Sequence, residues 1–144
     1  MIKIQHRANS LEKLKNLDKN FGVEIDIRTV NNKLILNHEP IKKSVLLSSY
    51  LKKFNHKFLI LNVKEEGIEN LIFNLLKKYK IKNYFFLDVT IPKIFQFLKS
   101  KKKINLCLRI SKFEKLDNLN FFQEKINWAW IDTFDNEIPL SIKE

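Results

Sequence analysis

Residues 57–79 read KFLILNVKEEGIENLIFNLLKKY, and they contain one complete strand–helix unit. The run Phe58–Val63 is almost entirely apolar, which is typical of a strand that is covered on both faces of a parallel sheet. The apolar residues that follow recur at helical spacing and predict an amphipathic helix: Ile68, Leu71, Ile72, Leu75, Leu76 and Tyr79.

The same strand–helix unit recurs along the whole chain with short connections. Asn9, three residues before Glu12, predicts a helix cap, Gly22 is placed to end that helix, and Asn31-Asn32 predicts a turn. Such repetition indicates a parallel sheet with right-handed crossovers. The predicted strands are Ile2–Gln5, Val23–Thr29 with the extension Lys33–Asn37, Lys57–Lys64, Tyr84–Val89, Ile104–Ile110 and Trp128–Phe134. The other predicted helices are Ile41–Phe54, a helix after Thr90 and Pro92, and Leu116–Ile126.

The composition favours one globular domain over residues 1–144 in a reducing compartment, which we take to be the cytoplasm. Cys107 is the single cysteine, and no apolar run approaches the roughly 18 residues of a membrane span. The net charge of +11 comes largely from scattered lysine pairs without a nucleic-acid motif. We therefore interpret the lysines as solvated surface, and nucleic acid as the less favoured partner.

Polar side chains end the predicted strands, although each strand is otherwise apolar. Because the carboxyl ends of parallel strands meet at one edge, where α/β proteins bind ligands, we expect a site there. The residues concerned are His6 and Arg7, Glu24 and Asp26, His38, Asn62 and Lys64, Asp88, Arg109, and Asp132. His56 is interpreted instead as a surface or structurally satisfied residue.

The N-terminal third resembles a known family, the glycerophosphodiester phosphodiesterases, which are TIM barrels of the phospholipase C-like superfamily. The resemblance rests on His6-Arg7, on Gly22 with Glu24-Ile-Asp26, and on His38-Glu39-Pro40. Leu61–Lys64 is similar to the family's third-strand segment. The resemblance implies a (β/α)8 TIM-barrel-like fold with about six of eight units in this chain. The barrel would then be incomplete or open, and one way to complete it is a second copy of the chain.

This sequence departs from the family pattern at four points. Ala8 stands in place of Gly, Glu39 in place of Asp, and Asn62 in place of a third acidic metal ligand. An amide oxygen can still coordinate a hard cation, but with less charge. The fourth departure is the lack of two strand–helix units, which in a barrel often help to hold phosphate.

The family's activity implies that the chain hydrolyses a small phosphodiester, such as a glycerophosphodiester or a sugar-phosphate diester. Glu24, Asp26 and Asn62 would hold Mg²⁺ or Ca²⁺, since all three offer oxygen ligands. His6 and His38 would act as general acid and base in an order that the sequence leaves open. Arg7 and Lys64 would neutralise the charge of the transition state.

Several alternatives remain open at this point. Glu24 and Asp26 could instead form ion pairs with Arg28 or Lys33. Asp88, Arg109 and Asp132 could bind substrate or form loop salt bridges. The chain could also be a catalytically impaired relic that binds phosphate or metal. A third alternative is a basic protein that binds nucleic acid or an anionic surface, driven by its charge.

Overall fold

The computed structural model of the chain describes residues 1–40, 44–100, 102–114, 121–122 and 125–133. Over these residues it has seven strands and four helices. The strands are β1 (Ile4–Gln5), β2 (Gly22–Val30), β3 (Lys33–Leu36), β4 (Phe58–Val63), β5 (Tyr84–Leu87), β6 (Cys107–Ile110) and β7 (Trp128–Ile131). The helices are α1 (Leu11–Asn16), α2 (Leu47–Lys53), α3 (Glu69–Lys78) and α4 (Ile91–Lys99).

Most of the predicted elements are present with shorter bounds. The helix predicted from Ile41 begins at Leu47, and residues 41–43 lie outside the described part. The helix predicted at Leu116–Ile126 falls largely on residues that are not described, as does Phe134 of the last predicted strand.

The chain divides into two compact units, Met1–Phe86 and Leu87–Glu144. The first unit is built on a mostly parallel sheet of five strands with the order β1-β2-β4-β5, and β3 pairs with β2 in antiparallel fashion. All residues of β4 and β5 are buried, as their apolar runs predict.

The long strand β2 joins the parallel and antiparallel parts of this sheet. It pairs with β4 from Gly22 to Ile27, and from Ile27 to Val30 it pairs with β3. Asn31 and Asn32 make the intervening turn at φ +49° and +59°, as predicted, because asparagine tolerates the left-handed region that a tight hairpin needs.

Gly22 lies inside the sheet and does not end α1 as predicted. It is the first residue of β2 and pairs with Ile4 on one side and Phe58 on the other. A Cβ atom at this position would clash with the Ile4 side chain and lie 3.1 Å from Phe58 Cβ. A larger residue here would therefore require the Ile4 side chain to rotate and Phe58 to shift slightly.

His56, interpreted from the sequence as a surface or structurally satisfied residue, lies in this unit. Its ring is buried, 7% exposed, and its Nε2 lies 3.2 Å from the carbonyl oxygen of Leu17, to which it can donate. His56 therefore tethers the segment after α1 to the core.

The second unit contains α4 and a two-stranded parallel sheet of β6 and β7. Each residue of Cys107–Ile110 pairs in register with one of Trp128–Ile131. Asp132 N–H then donates to the Ile110 carbonyl oxygen at 2.8 Å, which extends the pairing beyond β7.

The prediction of a TIM-barrel-like fold with six of eight units is wrong. A barrel requires every strand to pair with the next in a closed ladder. Here, in the described residues, the five-stranded sheet ends at β5, and β6 pairs with β7 in a separate small sheet. The fold is mixed α/β, and none of the helices in the described part is long and apolar enough to cross a membrane.

Candidate functional site

Two carboxylates and an amide lie on one face of the first sheet. Glu24 and Asp26 are two residues apart on β2, so their side chains leave the strand on the same side. Asn62 on β4 is the register partner of Asp26 and therefore shares that face. Their exposed fractions are 0%, 1% and 4%, and such complete burial is unusual for the two carboxylates.

The segment after β1 holds the Glu24 carboxylate from one side. The backbone N–H of Arg7 donates to Glu24 Oε2 at 2.8 Å, and His6 Nε2 lies 3.4 Å from the same oxygen. The Ala8 N–H donates to the Glu24 backbone carbonyl at 2.8 Å. Arg7 adopts a left-handed backbone conformation at φ +51°, a strained state for a residue with a side chain. The strained residue is thus the one whose N–H binds the Glu24 carboxylate.

Asn9 holds Asp26 in the same way, through two hydrogen bonds. Its Nδ2 donates to Asp26 Oδ2 at 2.8 Å, and the Asp26 backbone N–H donates to Asn9 Oδ1 at 2.9 Å. Asn9 is therefore a site residue and not the helix cap that was predicted. The cap of α1 is Ser10, whose side-chain oxygen accepts from Lys13 N–H at 3.1 Å.

This arrangement leaves one oxygen of each group without a hydrogen-bond donor. Glu24 Oε1, Asp26 Oδ1 and Asn62 Oδ1 are buried and have no hydrogen-bond partner. A buried polar atom without a partner costs on the order of 1–3 kcal/mol, and a charged one costs more. Three such oxygens lie on one sheet face, and a positive charge among them would lower this cost.

Burial also changes the acidity of Glu24. Desolvation raises the pKa of the Glu24 carboxyl above its ordinary value, and the neighbouring charge of Asp26 raises it further. The Arg7 N–H, the Asn62 amide and the His6 ring act in the opposite direction without cancelling the effect of burial. A bound cation would remove this penalty, because it favours the ionised form.

The alternative in which these carboxylates pair with Arg28 or Lys33 does not describe the ion pairs of the structure. Lys64 Nζ lies 3.5 Å from Asp26 Oδ1, so Lys64 supplies a positive charge beside this oxygen. Arg28 pairs instead with Glu65, at 3.9 Å. The two carboxylates of β2 are thus not neutralised by residues of their own hairpin.

His38 is connected to the same site through Arg7. Arg7 Nη2 lies 2.9 Å from His38 Nε2, and His38 Nδ1 lies 2.9 Å from Glu39 Oε1. A guanidinium has no lone pair to offer, so His38 Nε2 must accept. The proton of the ring is then on Nδ1, where it can be donated to Glu39.

The residues present fit an oxygen-loving divalent cation. Mg²⁺ and Ca²⁺ bind carboxylate and amide oxygens, and Mg²⁺ in particular keeps several waters, so three protein oxygens suffice. Among the described residues, no group of three or more His, Cys, Asp or Glu side chains is arranged to hold a metal ion. Glu24, Asp26 and Asn62 are two carboxylates and an amide, so they carry one negative charge fewer than three carboxylates would.

The three remaining predicted site residues cluster in the second unit. Arg109 Nη2 contacts both carboxylate oxygens of Asp88, at 2.6 and 2.8 Å, and Nη1 pairs with Asp132. Asp88 is held in a left-handed conformation at φ +60°. A cavity of about 340 Å³ is lined in part by Asp88, Arg109 and Glu114. The geometry is that of a salt-bridge cluster, which was one of the two interpretations left open.

The structure thus brings together seven predicted residues in the first unit: His6, Arg7, Glu24, Asp26, His38, Asn62 and Lys64. Sequence reasoning missed Asn9, which follows His6-Arg7 by two residues and could have been found as a polar neighbour of the motif. It also missed the contacts of Arg28 with the site. Arg28 is two residues beyond Asp26 on β2, so its side chain leaves the strand on the same face as those of Glu24 and Asp26.

No protein-family model, curated protein or solved structure matches this chain significantly. The resemblance to glycerophosphodiester phosphodiesterases therefore stays a prediction that depends on the quoted residues alone.

Proposed function

We propose that this protein is a divalent-cation-dependent phosphodiester hydrolase that acts on a small glycerophosphodiester-like or sugar-phosphate diester. The observation that carries the proposal is the set of three buried oxygens without hydrogen-bond donors, from Glu24, Asp26 and Asn62. His6 and Lys64 lie beside the two carboxylates, and the side chains of Arg7 and His38 contact each other in the same unit. Together they are the groups that phosphodiester cleavage requires.

The cation would be held by Glu24, Asp26 and Asn62. When bound, Mg²⁺ or Ca²⁺ withdraws charge from a non-bridging phosphate oxygen and orients the nucleophile. Arg7 and Lys64 would bind the remaining phosphate oxygens; Arg7 contacts His38, and Lys64 contacts Asp26. Their positive charges stabilise the extra negative charge of five-coordinate phosphorus.

The hydrogen bonds of the histidines suggest their order of action. His38 Nε2 carries the lone pair and accepts from Arg7, so His38 would be the base that takes a proton from water or from a substrate hydroxyl once Arg7 turns from His38 to the phosphate. The bond from that oxygen to phosphorus forms as the bond to the leaving alcohol breaks. His6, 58% exposed beside Glu24, is the proposed acid that protonates the leaving oxygen.

Hydrolysis of bis(p-nitrophenyl) phosphate tests the proposal. We expect turnover with Mg²⁺ or Ca²⁺, loss of turnover with EDTA, and loss of at least 100-fold in kcat with His6→Ala or His38→Ala. Lys33→Met, at an exposed position on the β2–β3 hairpin, is the matched control and is expected to retain activity. Turnover that survives both EDTA and His6→Ala would contradict the proposal.

One observation favours a second candidate, a relic that binds cation and phosphate without turnover. Asn62 offers no charge, and Lys64 Nζ already lies 3.5 Å from Asp26 Oδ1. This candidate predicts that Mg²⁺ and phosphate raise the melting temperature while no diester is hydrolysed at any pH. It also predicts that His38→Ala leaves that stabilisation unchanged.

A further inference from the structure

Arg28 contacts the backbone of two candidate site residues that lie far apart in sequence. Its Nε donates to the His38 carbonyl oxygen at 2.9 Å, and its Nη1 donates to the Lys64 carbonyl oxygen at 3.3 Å. Its side chain is 21% exposed, so water competes only partly for these bonds. One guanidinium thereby joins the segment after β3 to the end of β4.

We propose that Arg28 is the positioning residue of this site and fixes His38 and Lys64 relative to the carboxylates of β2. The inference rests on the proposed function, because it assigns Arg28 a part in the geometry of that reaction. Arg28 follows Glu24 and Asp26 at two-residue spacing on the same strand. The strand that carries the cation ligands therefore also carries the group that holds the base and the phosphate-binding lysine.

Glu65 strengthens this connection from the β4 side. Its Oε1 lies 3.9 Å from Arg28 Nη1, and its Oε2 accepts from Thr29 N–H at 3.0 Å and from the Thr29 hydroxyl at 2.5 Å. Glu65 directly follows Lys64 in sequence. Two consecutive residues of β2 thus bind the chain at the point where Lys64 leaves the sheet.

The chemistry explains why arginine is needed at this position. A guanidinium is planar, always charged and offers donors in several fixed directions, so it can serve two carbonyls and a carboxylate at once. A lysine ammonium is a point charge on a flexible stem and does not reproduce this geometry. Retaining the charge at position 28 is therefore not expected to retain the function of Arg28.

The test compares Arg28→Met and Arg28→Lys with Lys33→Met, which removes one positive charge from an exposed position on the same hairpin. Circular dichroism and thermal melting establish that each variant is folded. With bis(p-nitrophenyl) phosphate and Mg²⁺, we expect both Arg28 variants to lose at least ten-fold in kcat with KM changed less than about three-fold. A small misplacement of reacting groups has effects of this size. Lys33→Met is expected to match the wild type.

A second measurement does not depend on activity. At one fixed pH, the imidazole ¹⁵N resonances of His38 should shift in Arg28→Met and Arg28→Lys, because the segment that orients its ring is released. Those of His56 should stay unchanged, and Lys33→Met should move neither. A wild type that hydrolyses no diester would reject the proposed function, while the His38 resonances still decide the role of Arg28. Unchanged His38 resonances in a folded Arg28→Met variant would overturn the inference, as would a kcat equal to that of Lys33→Met.

Discussion

Asp26 and Asn62 occupy the same register position on the adjacent parallel strands β2 and β4, and each has one buried oxygen without a hydrogen-bond partner. In-register neighbours on one face of a sheet lie within side-chain contact of each other. The Asp26 carboxylate is kept in its orientation by Asn9, which occupies the opposite oxygen. Under the proposed function, the pair would bind one cation from two strands.

Replacing Asn62 with aspartate should strengthen cation binding. The change adds a negative charge beside Asp26, and the charge of the ligand set tunes the affinity for Mg²⁺ and Ca²⁺. We expect the Kd for Mg²⁺ to fall by roughly ten-fold, an effect of about 1.4 kcal/mol. Titration calorimetry of Asn62→Asp measures this. Asn62→Leu, which removes the oxygen, is the control and should bind more weakly than the wild type; equal affinity in the two variants would contradict the site.

Glu24→Gln should raise stability at neutral pH when divalent cations are removed. Because burial raises the pKa of Glu24 above its ordinary 4.5, the folded state holds this proton more tightly than the unfolded chain. The free energy of unfolding therefore falls as pH rises from about 4.5 through the folded pKa, and it stays lower above that value. The glutamine variant lacks this loss, and its amide oxygen can still accept from Arg7 N–H.

Melting temperatures measured from pH 4 to 8 in EDTA test this expectation. Relative to wild type, Glu24→Gln should gain a few degrees at neutral pH and nothing at the acidic end. Glu12→Gln, at an exposed position in the first turn of α1, should follow the wild-type curve throughout. Curves for Glu24→Gln and wild type that run parallel would rule out a buried, destabilising Glu24 charge.

Tyr50→Phe should leave the protein as stable as the wild type or more stable. The Tyr50 side chain is fully buried in α2, and its hydroxyl has no hydrogen-bond partner. Burial raises the pKa of this phenol, so the neutral form is retained in the folded state. Removing an unsatisfied hydroxyl should stabilise by up to about 1 kcal/mol, whereas Tyr50→Ala should cost about 3–5 kcal/mol. Urea denaturation of both variants measures the difference, and a large loss in Tyr50→Phe would show that the hydroxyl is bonded.

Cys107 should resist alkylation as long as the protein is folded. Burial raises the pKa of its thiol to about 12, so the reactive thiolate is scarce at neutral pH. We expect no iodoacetamide adduct by mass spectrometry in native buffer and complete labelling in urea. Rapid labelling of the native protein would indicate that the second unit opens at β6.

The positions of β4 and β5 could be predicted from sequence because each is a distinct apolar run, and β2 from its alternation of apolar and polar residues. The start of α1 could not, since both Asn9 and Ser10 are good capping residues. Asn9 forms two hydrogen bonds with Asp26, a residue distant in sequence, and Ser10 takes the cap. A local sequence pattern cannot show which of the two residues caps the helix, because the answer depends on where β2 lies beside Asn9. The contacts of Arg28 could not be predicted for the same reason, since they too join residues distant in sequence.

The barrel prediction failed at the connection between β5 and β6. The composition of a buried strand does not tell which neighbour it pairs with, and Cys107–Ile110 would look the same in either sheet. The candidate site was less sensitive to this error. Its seven residues come from β1 to β4 and the segments that follow them, which are close in sequence and share one sheet.

Gly22 affects the candidate site although it is not one of its residues. The two-residue strand that leads into His6 and Arg7 pairs with β2 only through Ile4 and Gln5, and Ile4 lies against Gly22. A methyl group there would meet the terminal methyl of Ile4, two residues before His6, so this short strand would have to adjust. We expect Gly22→Ala to lower the proposed activity through the placement of His6, although every reacting group is retained.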